Sequence, residues 1–384
     1  MLNITKLWCG TPSSMDNLRY GNHVHKKPVV VWNSTQRCNL QCIHCYSNSE
    51  NKTYPNELTT QQAKDMVMDL ASFGAPVLLF SGGEPLLRQD LFEVAKIATS
   101  NGIRAVLSTN GTLITPEIAG QLKDAGFSYV GVSIDGTEQT NDRFRGSPGA
   151  FKKAIQGIRN CKAAGVKPGL RFTVTKYNYP DLLGVFDVIE KEQIPRVCFY
   201  HLAYAGRGSS ISNDDLTHSQ TREFMDTILE KAEELQQKNI DTEILTVDNH
   251  ADAVYLYLKL KQKNPQQAQS ALALLRQNGG NSSGAGIGCI DAQGNVHIDQ
   301  FWRHYTLGNI LERKFSDIWT DNQEPMLQAL RNRKPHLQGR CASCRFLDLC
   351  NGNLRVRAEA IYGDIWAPDP ACYLTDKEIT QAGI

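Results

Sequence analysis

Between residues 28 and 205, six short apolar or β-branched runs alternate with helix-like segments, and this restricts the chain to an α/β architecture. The runs are PVVVWNST (28–35), PVLLFSGGEP (76–85), IRAVLSTNG (103–111), YVGVSIDG (129–136), LRFTVTK (170–176) and RVCFYHLA (196–203). In LTTQQAKDMVMDLASFG, Thr59 is placed to cap a helix and Gly74 to stop it; Gly102 closes DLFEVAKIATSNG in the same way. Such alternation predicts a parallel sheet with right-handed crossovers, its strands apolar on nearly every residue because both faces are covered. Six units are too few to close an eight-stranded barrel, so an open, partial (β/α)6 barrel is expected. The runs end in SGGE, STNG, SIDG, TKYN and YAGRG. Binding and reacting groups gather at the carboxyl ends of parallel strands, so these ends should converge on one site.

Bulk properties exclude several classes of function. A formal net charge of +1 gives no case for nucleic acid or a membrane surface as the main partner. No apolar run approaches the ~20 residues of a spanning helix. MLNITKLWCGTPSSMDNLRYG lacks the basic start and apolar core of a secretory signal. A cytoplasmic location is therefore expected, where thiols stay reduced. Eleven cysteines then argue against a disulfide framework, and their clustering, three in 38–45 and three in 341–350, points to metal. Cys161 and Cys198 read as small buried hydrophobes. The predicted division is an N-terminal segment (1–27), the barrel (28–205), a helical connecting region (206–288) and a cysteine-rich region (289–384). NGGNSSGAGIG, 278–288, reads as a flexible spacer or loop.

Just beyond the first strand lies CNLQCIHCY, with Cys38, Cys42 and Cys45 spaced C-x3-C-x2-C. Structural zinc takes four ligands, which His44 or a distant residue would have to complete. Three thiolates also suit an iron–sulphur cubane that leaves one iron open to another ligand. This spacing, followed by aromatic Tyr46 at the end of the first strand, resembles the signature of the radical S-adenosylmethionine (radical SAM) enzymes. The later motifs agree in order. The resemblance implies a [4Fe–4S] cluster on Cys38, Cys42 and Cys45, with S-adenosyl-L-methionine on its open iron. It places Tyr46 near adenine and the backbone of Gly82, Gly83 and Glu84 at the methionine amino group. It brings Ser108, Asn110, Ser133 and Asp135 towards the ribose or methionyl part, and pairs Arg171 with the methionine carboxylate. One electron would break the sulphonium–carbon bond to give a 5′-deoxyadenosyl radical, and the protein would hold it beside one C–H bond.

RCASCRFLDLCNG and PACYL supply Cys341, Cys344, Cys350 and Cys372. Their spacing resembles part of the SPASM extension, which commonly carries two auxiliary clusters on seven cysteines. Here Asp299 stands where one cysteine is expected and Leu354 where another is, so the resemblance implies one fully ligated auxiliary [4Fe–4S] cluster, with Cys289 left over. A structural zinc site fits the same four thiols.

The flanks, LWCGTPSSMDNLRYG and DQFWRHYTLGNI, resemble the tetrapyrrole-modifying branch of this superfamily. That implies an iron-containing tetrapyrrole substrate and a reducing donor such as flavodoxin or ferredoxin. The first expectation is removal of propionate side chains from 12,18-didecarboxysirohaem in haem d1 biosynthesis. Removal of acetates from the same substrate in the alternative haem pathway comes next, and a peptide-modifying maturase or a plain electron carrier last. A flat ring fringed by carboxylates calls for apolar or aromatic walls with a basic rim. FWRHYT (301–306), Arg19 with Tyr20, and Arg143 with Arg145 offer those residue types, and His297 and His304 are candidate iron ligands.

Overall fold

Each of the six apolar runs forms one strand. The computed structural model describes residues 1–10, 19–21 and 27–380. Its strands are β1 (Leu2–Asn3), β2 (Val29–Asn33), β3 (Val77–Ser81), β4 (Arg104–Thr109), β5 (Tyr129–Ser133), β6 (Pro168–Val174), β7 (Arg196–His201), β8 (Glu243–Val247), β9 (Ile287–Ile290), β10 (Asn295–His297) and β11 (Gly308–Asn309). All join one sheet in the order β1-β8-β7-β6-β5-β4-β3-β2-β9-β10-β11. Strands β2 to β8 run parallel in chain order, and among the described residues β1 and β11 form two unjoined edges, so the barrel is open.

Helices cover the outer face. In α1 (Thr60–Phe73), Thr59 and Gln62 form the capping box and Gly74 ends the helix in the left-handed region, as its sequence predicts. Ala63, Met66, Val67 and Leu70 form its buried stripe at helical spacing. In α2 (Leu91–Ser100), Leu91, Val94, Ala95 and Ala98 do the same. The strand residues beneath, among them Leu78, Phe80, Leu107, Val130, Phe172 and Phe199, are fully buried.

Three parts of the predicted organisation need correction. The N-terminal segment is not separate, because β1 pairs antiparallel with β8. The region 206–288 is more than a helical connector: beside the long helix α3 (His218–Gln237) and α4 (Ala251–Lys263) it holds β8, a seventh parallel strand. EILTV is short and starts with a glutamate, so its pattern carries little strand signal. The glutamate is accommodated by ion pairs from Glu243 to Arg19 and Arg196, at 2.7 and 2.5 Å. These pairs lie at the amino ends of β7 and β8, and the Tyr20 hydroxyl accepts from Asn3 N, so Arg19 and Tyr20 sit at the end of the sheet opposite the polar strand ends. Part of the N-terminal flank quoted above, residues 11–18, lies outside the described residues. The Gly/Ser stretch is no spacer either. Arg333 donates to Asn281 Oδ1 and Ser283 O, Asn281 N donates to Cys350 O, and β9 starts at Ile287 alongside β2.

Candidate functional site

The loop after β2 folds its three thiols into one small apolar cluster, Cys38, Leu40 and Cys42 with Cys45 against them. Each sulphur faces a donor: Leu40 N lies 3.4 Å from Cys38 Sγ, Arg145 Nη1 3.6 Å from Cys42 Sγ, and Ser47 Oγ 3.3 Å from Cys45 Sγ. Burial pushes the Cys38 and Cys42 thiols up. At Cys45 burial acts the same way, but hydrogen bonds from Ser47 and Ser49 and the charge of Arg207 outweigh it, and the net shift is down. Neighbouring elements hold the loop's backbone. Gln41 N and Ile43 N donate to Arg145 O and Phe144 O, Arg207 N donates to Cys45 O, and Arg207 Nε donates to Cys42 O at 2.8 Å.

Asp135 and Arg145 depart from their expected places. Asp135 is fully buried; its carboxylate pairs with Arg145, lies 3.5 Å from His44 Nε2, and accepts from Thr173 N at 2.8 Å. It thus braces the cysteine loop through Arg145. Arg145 is not a basic rim residue: β5 and the loop enclose it because its charge is matched by Asp135. Arg143 remains at the surface, stacked on Tyr177. His44 is tied to Asp135, and burial lowers its pKa to about 4, so it is neutral near pH 7.

The SGGEP motif and the STNG end lock together beneath this loop. Gly83 N and Glu84 N donate to Thr35 O and Arg37 O, at 2.7 and 2.8 Å. A Cβ on Gly82 would lie 2.4 Å from Thr35 O and one on Gly83 2.2 Å from Arg37 O, so only glycine permits this approach. Glu84 is fully buried and accepts from Thr109 Oγ1, Leu86 N and Asn110 N; burial raises its pKa to about 7. Asn110 Nδ2 donates to Asn39 Oδ1 inside the cysteine loop. Glu84 and Asn110 side chains therefore position the loop.

Groups free to meet a ligand lie at the neighbouring strand ends. Ser133 of β5 is paired with Arg171 of β6, and Ser108 of β4 with Gly131. Both serines are half-buried, and among the described residues neither hydroxyl makes a hydrogen bond. The Arg171 stem passes over Gly131, where a Cβ would come within 2.7 Å of it. Its guanidinium stacks on Tyr200 at 4.7 Å and has no carboxylate partner among the described residues. Tyr46 donates to Asn33 Oδ1, lies 3.1 Å from Ser81 Oγ, and sets its ring edge-on to Phe301. Asn33, a residue the sequence reading passed over, also donates to Cys289 Sγ at 3.5 Å; its place in the polar end of the first run was the available signal.

Beside Tyr46 opens a cavity of about 590 Å³, bordered by Tyr204, Phe301, Arg303, His304, Val356 and Glu359 among others. The FWRHYT segment thus reaches the cysteine loop, and Arg303 donates to Ser47 O. His297 does not: it is buried, with its ring nitrogens on Tyr305 O and Asp291 Oδ2.

The second cysteine group lies under the Gly/Ser stretch. Burial, then the neighbouring Cys372 and Cys341, push the Cys350 thiol well up. The two positions where SPASM cysteines are missing are built into packing. Asp299 is buried and accepts from Ser283 Oγ and Phe301 N, and Leu354 joins the apolar cluster of Phe301, Trp302 and Val356.

Comparison with known proteins agrees with this arrangement. The radical SAM superfamily matches residues 32–190, and an iron–sulphur cluster-binding domain, SPASM, matches residues 282–345. An Fe-coproporphyrin III synthase from Methanosarcina barkeri is 54% identical over 99% of this chain and 99% of its own length. The chain belongs to the radical SAM superfamily. A pre-heme d1 synthase from Dinoroseobacter shibae is 45% identical over 93% of this chain and 88% of its own. Among solved structures, SuiB from Streptococcus suis bound to S-adenosylmethionine superposes with a TM-score of 0.71 at 17% identity, over 90% of this chain and 77% of its own. AnSMEcpe with bound AdoMet superposes with a TM-score of 0.69 at 19% identity, over 90% and 94%. These two bear on the fold alone. As a radical SAM enzyme with a SPASM domain, the protein uses [4Fe–4S] clusters and S-adenosylmethionine. The residues fit them: three thiols, each facing a donor, suit thiolates on an anionic cluster, and the uncommitted Arg171 suits a carboxylate.

Proposed function

We propose that this enzyme removes side chains from an iron-containing tetrapyrrole, acetate groups in preference to propionate. The observation that carries this reading is the cavity beside Tyr46, where aromatic and apolar walls meet Arg303 and His304 next to the cysteine loop. That combination suits a flat ring fringed by carboxylates. The named relatives support the substrate class, since both are named for tetrapyrrole products. They also bear on the order of preference. A coproporphyrin retains propionate side chains, so resemblance to a synthase of its iron complex, at 54% identity, favours acetate loss over the propionate loss expected first from the sequence. The 45% identical pre-heme d1 synthase keeps propionate loss as the second reading.

In this proposal Cys38, Cys42 and Cys45 hold the first cluster, and Cys341, Cys344, Cys350 and Cys372 the auxiliary one. Arg171 binds the methionine carboxylate, Ser108 and Ser133 offer hydroxyls beside it, and Tyr46 and Phe301 divide the nucleoside from the cavity. When bound and reduced, the first cluster and S-adenosylmethionine supply a carbon-centred radical able to take a hydrogen atom from an unactivated C–H bond. The chain excludes water with Tyr46, Phe301 and Val356, and orients the ring through Arg303. Flavodoxin or ferredoxin is the proposed electron donor, in the cytoplasm; among the described residues no helix is long and apolar enough to cross a membrane.

Anaerobic incubation of reconstituted protein with dithionite, S-adenosylmethionine and 12,18-didecarboxysirohaem tests the reading. Release of 5′-deoxyadenosine with product masses short of two acetate side chains is expected. Loss of propionate-sized fragments would establish the second reading, and an unchanged substrate would remove both.

A further inference from the structure

The sequence offers two histidines for the iron of a bound macrocycle, and the structure separates them. His297 is 1% exposed, with Nδ1 2.8 Å from Tyr305 O and Nε2 3.2 Å from Asp291 Oδ2. Both nitrogens are engaged, so it cannot ligate without dismantling β10. His304 is the histidine that borders the cavity. Its ring stacks on Trp302, centroids 6.0 Å apart, and its side chain is 56% exposed. Its Nε2 lies 3.0 and 3.1 Å from the two carboxylate oxygens of Glu359, a residue that also borders the cavity and sits on α5 (Arg355–Tyr362).

This pairing has a chemical consequence. A carboxylate on one ring nitrogen keeps the proton there, fixes the tautomer and leaves the other nitrogen with its lone pair. Metal-bound imidazoles are commonly backed in this way, and imidazole suits iron in a tetrapyrrole. The other side chains at the cavity that might bind iron are occupied. The Tyr204 hydroxyl donates to Asp215 Oδ2 at 2.7 Å, and the Tyr46 hydroxyl to Asn33 Oδ1 at 3.0 Å. His304 Nδ1 has no hydrogen-bond partner among the described residues.

We infer that His304, oriented by Glu359, is the axial ligand to the iron of the bound tetrapyrrole, through Nδ1. This rests on the reading of the substrate as an iron-containing ring. The ligand gives the site a means of choosing iron-loaded over metal-free macrocycle, and it fixes the ring's height above the cysteine loop, and so which edge reaches the reacting atom.

The test uses the full chain with both clusters reconstituted, and iron(III) coproporphyrin III and metal-free coproporphyrin III as probes. Wild-type protein should bind the iron form with the visible and electron paramagnetic resonance signature of a nitrogen axial ligand. His304→Ala should lose that signature and regain it on addition of imidazole, and should lose more affinity for the iron form than for the metal-free ring. Glu359→Gln should keep the nitrogen signature but weaken iron-form binding about tenfold. His304→Gln, closer in shape, guards against local misfolding: the same spectral loss with normal cluster content supports the assignment. A wild-type spectrum in either His304 variant would overturn it while leaving the tetrapyrrole reading intact. Failure of wild-type protein to bind the iron ring would remove the inference together with that reading.

Discussion

Arg145 concentrates the residue-scale physics of the first cluster site. The residue is 7% exposed, and its guanidinium pairs with Asp135 and reaches 3.6 Å from Cys42 Sγ. A fixed positive charge beside a cluster thiolate favours the more negative redox state, so it should raise the potential at which the cluster accepts an electron. Arg145→Met should therefore lower that potential in a redox titration followed by electron paramagnetic resonance. It also strands Asp135 as a buried, unpaired charge, which costs about 3–5 kcal/mol. Adding Asp135→Asn should restore stability without restoring the potential, which separates the two roles. His44 makes a second prediction. Burial lowers its pKa from 6.5 to about 4, so between those values the unfolded chain binds a proton that the folded chain does not. The stability linked to neutral His44 is complete above pH 6.5 and is lost as pH falls towards 4, about 3 kcal/mol in all. His44→Gln should flatten this part of the acid limb in thermal melts of the cluster-free protein. The cysteine spacing made the group of three thiols legible. Arg145 was not legible as their neighbour, because a contact between residues about a hundred positions apart leaves no mark in local pattern.

At the scale of elements, the six apolar runs were legible because each buries both faces and ends in a turn; their spans agree with β2 to β7 within a few residues. EILTV was not, since the chain surrounds its glutamate with two arginines rather than excluding it. The glycines of SGGEP were legible as a motif but not in their mechanical role. Gly82 has φ +138°, and the segment 34–37 runs directly over both glycines. Gly83→Ala would bring a Cβ to 2.2 Å from Arg37 O, and since that neighbour is backbone, the cysteine loop must shift. The expected outcome is an intact fold by circular dichroism, with the first cluster lost and the auxiliary one retained. Iron and sulphide per chain should fall by about half. Unchanged iron content would show that the loop tolerates the shift.

For the whole molecule, the cysteine-rich region cannot be detached as an independent unit, although the sequence divides there. Strand β9 lies parallel to β2 and extends the barrel's own sheet. Tyr373, next to Cys372, donates to Asp252 Oδ1 at 2.8 Å, and the same carboxylate lies 3.0 Å from His201 Nε2 at the end of β7. Arg357 pairs with Asp369 at 2.8 Å, both fully buried, and donates to Leu202 O. Buried charges that bridge two regions couple their unfolding, because opening either region leaves the other with an unpaired ion or polar group. The protein should therefore melt as one cooperative unit, with the visible absorbance of the auxiliary cluster and the far-ultraviolet circular dichroism changing together. Asp369→Asn leaves the Arg357 charge without its counterion inside the protein and should cost about 3–5 kcal/mol. If the two regions are coupled, both signals should move to lower temperature by the same amount. A variant in which the cluster signal falls first, while the barrel's circular dichroism holds, would show that the region folds separately and that the shared sheet does not bind the two together.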